Sequence, residues 1–340
     1  MKTSLKFSAV CAVIIVLITA CKKENVNPNF DKYIAGNTSI GTTRSNYYVA
    51  TLWINDSMIH LSDTSSKANA ICIDNDDVYV LGNLFAAGES ACYWKNGVRQ
   101  KLPYYRSAII ATGIAVQNGD INICFNHYNS FDSVYTASVW HNGVEQTLAN
   151  SNNAYATAMT INAGDVYVSG WKKINADYYA VYWKNGMYNQ LGIGKANDIF
   201  AFNNKIYMAG EFHPISSSAP RAMYWENNAA HVLESTDISA GNAITVTGYG
   251  MAVGGFIFND LYYWKDNIKH RLQTSSDESS LKLNDIAGYN NYVYSVGSIY
   301  NTTQSSNKAY YWENNSKNKL PDGTCIECWS EAKAIAIKKK

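Results

Sequence analysis

Two patterns of hydrophobic and polar positions alternate along this chain. The first is a block of fifteen residues, Ala-Asn-Ala-Ile-Cys-Ile-Asp-Asn-Asp-Asp-Val-Tyr-Val-Leu-Gly at 68–82, in which apolar residues alternate, meet a polar turn and alternate again. It returns without gaps at 111–125, 156–170, 196–210, 241–255 and 283–297. Period-two alternation on both sides of a turn predicts two antiparallel strands. The second pattern is a tryptophan followed closely by a two-residue polar turn, with leucine eight positions on. Its copies are Trp53/Leu61, Trp94/Leu102, Trp140/Leu148, Trp183/Leu191, Trp225/Leu233, Trp264/Leu272 and Trp312/Leu320. Asn96-Gly97, Asn142-Gly143 and Asn185-Gly186 are type I′ hairpin signals, because both turn residues need positive φ. Asn55-Asp56, Asn227-Asn228, Asp266-Asn267 and Asn314-Asn315 use residues that tolerate that region. Each phrase therefore predicts two further strands.

A two-residue hairpin fixes which side chains oppose one another. The leucine faces the residue three before the tryptophan, which is Ala50, Ala91, Ala137, Ala180, Ala222, Leu261 or Ala309. The tryptophan points to the other face. Both faces of the predicted sheet are thus apolar, as a sheet sandwiched between two others requires, and the tryptophans belong to the core rather than to a ligand platform.

The tryptophans recur at intervals of 41, 46, 43, 42, 39 and 48 residues. Four short strands at such a period predict an all-β fold, the seven-bladed β-propeller with four antiparallel strands per blade. The chain ends look like parts of one blade. Residues 332–337, Ala-Lys-Ala-Ile-Ala-Ile, repeat the opening of the block, and residues 32–36, Lys-Tyr-Ile-Ala-Gly, repeat its ending. One C-terminal strand plus three N-terminal strands from 31–62 would close the ring, making 31–340 a single domain. An open solenoid would not need complementary ends. The phrase Ala-x-x-Trp-x-Asn-Gly-x-x-x-x-Leu followed by an Ala/Ile-rich strand resembles the HAF-type extracellular repeats of bacteria, a resemblance that implies fold and export but no chemistry.

Address is written at the N-terminus. Lys2 and Lys6 precede an apolar run at 7–18, the pattern of a signal segment, too short to span a bilayer. Ile18-Thr19-Ala20-Cys21 resembles the lipobox of bacterial lipoproteins, which implies a signal peptide at 1–20, lipidation at Cys21 and a tether at 21–30. Several acyl chains anchor stably without a transmembrane helix, so the membrane is the first expected partner. Lys22-Lys23-Glu24-Asn25 resembles the surface-export signal of Bacteroidota lipoproteins. The expected location is the outer membrane, facing periplasm or cell surface. A formal charge of +1 leaves no basic footprint for nucleic acid.

Of the remaining cysteines, Cys72, Cys92 and Cys124 fall on predicted strands as small buried hydrophobes. Cys325-Ile326-Glu327-Cys328 predicts a local disulfide, with no following helix to lower a thiol pKa.

Binding residues are expected on the face carrying the longer, dissimilar loops. The position after each second strand gives a ring that includes Asn83, Asn126, Trp171, Glu211 and Phe256, flanked by His127, Lys173, His213 and Tyr300. Amides, aromatics and two histidines suit a protein segment or a sugar. A glycosidase needs two carboxylates, and only Glu211 projects from this ring. Glu211 with His213 is too small a set for a metal, and Asp74-Asn75-Asp76-Asp77 lacks the glycine and distal glutamate of an EF-hand. No catalytic constellation, cofactor motif or metal site is expected. The sequence points to a non-catalytic binding or scaffolding module, with a carbohydrate-binding or carbohydrate-cleaving surface protein as the alternative.

Overall fold

The computed structural model describes residues 29–42, 45–85, 90–102, 109–213, 219–322 and 328–340. The signal segment, Cys21 and most of the tether lie outside them. Every regular element among the described residues is a strand.

The first sheet contains β1 (Phe30–Thr42), β2 (Ser45–Ile54) and β3 (Ser57–His60). The next holds β4 (Ser66–Asp74), β5 (Asp77–Leu84), β6 (Ser90–Lys95) and β7 (Val98–Lys101). It is followed by β8 (Ile109–Gln117), β9 (Asp120–Asn129), β10 (Val134–His141) and β11 (Val144–Asn152). A larger sheet has β12 (Ala154–Asn162), β13 (Asp165–Ile174), β14 (Asp177–Lys184), β15 (Met187–Phe202), β16 (Lys205–Phe212), β17 (Arg221–Glu226) and β18 (Ala229–Val232). Then come β19 (Ser239–Thr247), β20 (Gly250–Ile257), β21 (Asp260–Lys265) and β22 (Ile268–Arg271). β23 (Glu278–Tyr289), β24 (Tyr292–Asn301), β25 (Ser306–Glu313) and β26 (Ser316–Lys319) form the last. The final strand, β27 (Ser330–Lys339), pairs antiparallel with β1, giving the first sheet the order β27-β1-β2-β3.

The sequence predicts separate four-stranded sheets throughout. Pairing gives five of these and one sheet of seven strands. The joint is β15, whose residues 187–193 pair with β14 and whose residues 194–202 pair with β16. Gly192 and Gly194, at φ +150° and +142°, let the chain pass between the two partners without a loop. Gly194 has no room for a side chain there, since a Cβ would stand 2.0 Å from the Glu211 carbonyl oxygen.

The core lies between neighbouring sheets. Leu52 and Leu61 of the first sheet, for example, pack with Val80, Cys92 and Trp94 of the second. Trp53, Trp94, Trp183, Trp225, Trp264 and Trp312 are fully buried and Trp140 nearly so, a placement worth about 3–5 kcal/mol each against truncation. Three indoles also tie sheet to sheet. Trp53, Trp183 and Trp312 Nε1 donate to the carbonyls of Pro321, Ala149 and Gln273 at 2.8–2.9 Å, in each case the residue after the leucine of the preceding phrase.

The hairpin asparagine does two jobs. At Asn96, φ is +50°; its N–H donates to the Val78 carbonyl at 2.8 Å, and its Oδ1 accepts from the Val78 N–H at 2.9 Å. Asn55, Asn142, Asn185, Asn227 and Asn314 make the same double contact with Lys32, Ile121, Val166, Ile206 and Val293, and Asp266 makes it with Met251. The side chain thus extends the ladder past the end of the third strand, which glycine could not do.

Candidate functional site

The innermost strands surround a central cavity of about 570 Å³ lined by residues of β4, β8, β12, β15, β19, β23 and β27. Each of these strands bulges at one equivalent position, Asn69, Thr112, Thr157, Asn197, Asn242, Asn284 and Lys333, and β15 and β23 carry a further bulge, at Leu191 and at 280–281. A bulge leaves one residue outside the ladder and re-aims it, and here the re-aimed side chains link neighbouring sheets. Asn69 donates to the Ala111 carbonyl, Thr112 to Ala156, Thr157 to Ala196, Asn197 to Gly241, Asn242 to Leu283 and Asn284 to Ala332, all at 2.7–2.9 Å. This belt of hydrogen bonds follows the rim in one direction. Lys333 departs from it and pairs with Glu331 at 2.7 Å.

One residue beyond the bulge most strands carry Ala or Gly, but β15 and β23 carry Asp198 and Asp285. Asp198 accepts from the N–H groups of Ile199 and Ile244, each at 2.8 Å. Asp285 accepts from Ile286 at 2.7 Å and Ile335 at 2.8 Å. Each carboxylate so bridges two sheets. Burial in the cavity wall pushes both carboxyls well above the ordinary range, and the negative charge of Asp198 raises Asp285 further.

The second strands run outward to one end of the molecule, where the sequence placed the binding face. Asn83 and Asn126 are not available there. Asn126 is fully buried, donating to the Ala156 carbonyl and accepting from the Ala156 N–H. Asn83, also buried, donates to the Ile109 carbonyl and accepts from Asn69. A short amide on an inner-facing position reaches the backbone of the next sheet, so its polarity serves packing. Phe256 packs against the core between two sheets, and Tyr300 is half-buried at the end of β24. His127 stands apart from the others, bonded to Glu145 at 2.6 Å and edge-on to Phe125.

Trp171, Lys173, Glu211 and His213 do come together. Trp171 stacks on Tyr155, with centroids 5.4 Å apart and planes 7° from parallel, and meets Tyr178 edge-on at 5.1 Å. Tyr155 in turn contacts Tyr135 at 5.1 Å, and Tyr135 contacts Tyr128 at 5.0 Å. Lys173 and Lys195 stand 5.8 and 4.7 Å from the centre of the Tyr178 ring. Glu211 holds Lys195 at 3.3 Å and His213 at 3.4 Å. Sequence reading missed Tyr135, Tyr155, Tyr178 and Lys195; the only signal was a run of aromatics just inside neighbouring strand ends. Burial pushes the Tyr155 phenol up to about 12, so it stays protonated and able to donate.

Cys72, Cys92 and Cys124 are free thiols, each pushed up to about 12 by burial, which makes them inert hydrophobes. Cys328 is disulfide-bonded, and Cys325 lies outside the described residues. Among the described residues no helix is long and apolar enough to cross a membrane.

No known protein family and no curated protein matches the chain. Solved structures do. The β-propeller domain of the Trilobed protease from Pyrococcus furiosus, described as having an open velcro topology, superposes with a TM-score of 0.54 at 9% identity, over 85% of this chain and 94% of that one. The fold is a β-propeller. TolB from Acinetobacter baumannii gives a TM-score of 0.50 at 10% identity over 72% of this propeller and 64% of that chain. A prolyl endopeptidase gives 0.50 at 9% over 87% of this chain, which spans about half of that enzyme's length. At such identities the likeness concerns the fold alone.

Proposed function

We propose that this propeller is a lipid-anchored, non-catalytic binding module of the outer membrane, held by lipid on Cys21 and meeting its partner with the face that carries Trp171. Seven blades belong to this reading: β15 serves as the outer strand of one blade and the inner strand of the next, so the strands fall into groups of four. The observation that carries the proposal is the aromatic strip from Tyr128 to Tyr178, set on the ends of strands stapled into a rigid rim. Aromatic side chains that keep partial exposure on a fixed scaffold lose little conformational freedom on binding. The one acid in the set, Glu211, is held by Lys195 and His213, which favours a fixed ion pair over proton transfer.

Capture from detergent-solubilised membranes tests this reading. The chain should return a reproducible partner, Trp171→Ala should lose it, and Cys21→Ser should shift the protein to the soluble fraction. A partner set unchanged by Trp171→Ala would overturn the assignment of the face, and membrane association unchanged by Cys21→Ser would overturn the anchor.

A further inference from the structure

We infer that the strip from Tyr128 to Tyr178 binds a linear, acidic polysaccharide, with Lys173 meeting its carboxylate or sulfate groups; the inference rests on the reading of this face as a binding surface.

Shape is the first argument. Five rings follow one another across neighbouring sheets in centroid steps of 5.0–5.4 Å, a row one ring wide. Tyr128 is exposed, and Tyr135, Tyr155, Trp171 and Tyr178 are half-buried. The row is fixed by mutual edge and face contacts, so it is formed before any ligand arrives. It contains no branched aliphatic side chain of the sort that fills pockets between proteins. A pyranose chain offers flat C–H faces to aromatic rings and hydroxyls along its edges, and a narrow row of rings fits that outline.

Polar chemistry is the second. The hydroxyls of Tyr128, Tyr135, Tyr155 and Tyr178 make no hydrogen bond within the described residues. A phenol hydroxyl both donates and accepts, and a half-buried one ordinarily finds a partner. Three half-buried hydroxyls and the exposed one of Tyr128 along one row supply the edge contacts that sugar hydroxyls need.

Charge is the third. Lys173 is exposed and makes no ion pair among the described residues. Lys195 shares Glu211 with His213, and Asp177, exposed at the first residue of β14, pairs with neither lysine. The end of the row at Tyr178 is therefore edged by two ammonium groups and two carboxylates; Lys195 is engaged by Glu211, and Lys173 is the cation left to meet a ligand. That cation draws an anionic chain and makes its binding sensitive to salt.

The test uses the lipidated full chain in detergent micelles, with polygalacturonate as the acidic probe and a neutral mannan as its counterpart. Binding to polygalacturonate is expected to weaken as salt rises. Trp171→Ala should weaken it about tenfold, the loss expected for one good aromatic contact, and Trp171→Phe should retain most of it. Lys173→Gln, at an exposed position that does not touch the core, should weaken binding severalfold and flatten the salt dependence. Equal affinity for the neutral mannan, or no response to Lys173→Gln, would overturn the acidic ligand. Should neither glycan bind while a protein partner is captured through Trp171, the polysaccharide is refuted and the binding face stands. Capture that ignores Trp171 removes both.

Discussion

Asp285 makes the stability of this propeller depend on pH in an unusual direction. Most native carboxylates are held below their unfolded values and stabilise the fold as pH rises. Asp285 is raised, by burial and by Asp198, so between about pH 4 and its folded pKa the unfolded chain gives up the proton first. The contribution of Asp285 is therefore fully present in acid and is lost as pH rises, at about 1.4 kcal/mol for each unit by which the folded pKa exceeds the unfolded one. Asp285→Asn removes that slope and relieves Asp198 as well. It also turns one acceptor into a donor facing the N–H of Ile286 or Ile335, an unmade buried bond that costs about 1–3 kcal/mol. The variant should be the less stable protein near pH 5, and the gap should narrow or invert by pH 8.5. Urea unfolding followed by tryptophan fluorescence, at steps from pH 5 to 8.5, gives both curves, because the reporter indoles are buried in every sheet. The window excludes Glu234, which is held down at about 2 and acts only in stronger acid. The slope, not the offset, is diagnostic: parallel curves for wild type and Asp285→Asn would refute the buried, interacting pair.

Three further outcomes follow from packing. Trp183→Phe should cost about 1 kcal/mol more than Trp94→Phe in the same unfolding assay, because the Trp183 indole donates to Ala149 whereas the Trp94 indole has no partner among the described residues; equal losses would show that the bond contributes nothing. Gly82→Ala places a Cβ 2.0 Å from the Lys67 carbonyl oxygen and should destabilise by about 3 kcal/mol or more, while Gly248→Ala, with nothing within 4 Å, should be neutral or slightly stabilising; thermal melts distinguish them. Deleting 328–340 leaves β1 without its inner partner and should produce an aggregating chain, which a peptide of those residues supplied in excess should restore to a monomer in size-exclusion chromatography.

The sequence made the repeat legible because its strongest signals are local. Asn96-Gly97 requires a hairpin wherever it lies, and Trp94 with Leu102 requires two buried faces. The bulges were hidden for the opposite reason. Asn69, Thr112, Thr157, Asn197, Asn242 and Asn284 occupy one column of the block, so an extra residue in each inner strand leaves no gap when repeats are compared with one another. Only pairing against the second strand exposes it. The same limit misplaced Asn83 and Asn126: period-two alternation says which face a residue takes but not how close the next sheet approaches. The aromatic row was half legible. Trp171 stood out as a tryptophan outside the phrase, whereas Tyr135, Tyr155 and Tyr178 are ordinary strand tyrosines until three-dimensional proximity joins them. Asp198 and Asp285 lie in separate repeats, and their mutual repulsion is a property of the cavity alone.

The bond from the Trp329 N–H to the Ser39 hydroxyl joins residues 290 positions apart. A nascent chain cannot make it, or seat β27 beside β1, until that last stretch has left the ribosome. Long-range closure of this kind is slow. During synthesis the earliest strands must wait with an open edge, and whatever shields that edge in the meantime governs how much of the product folds rather than aggregates.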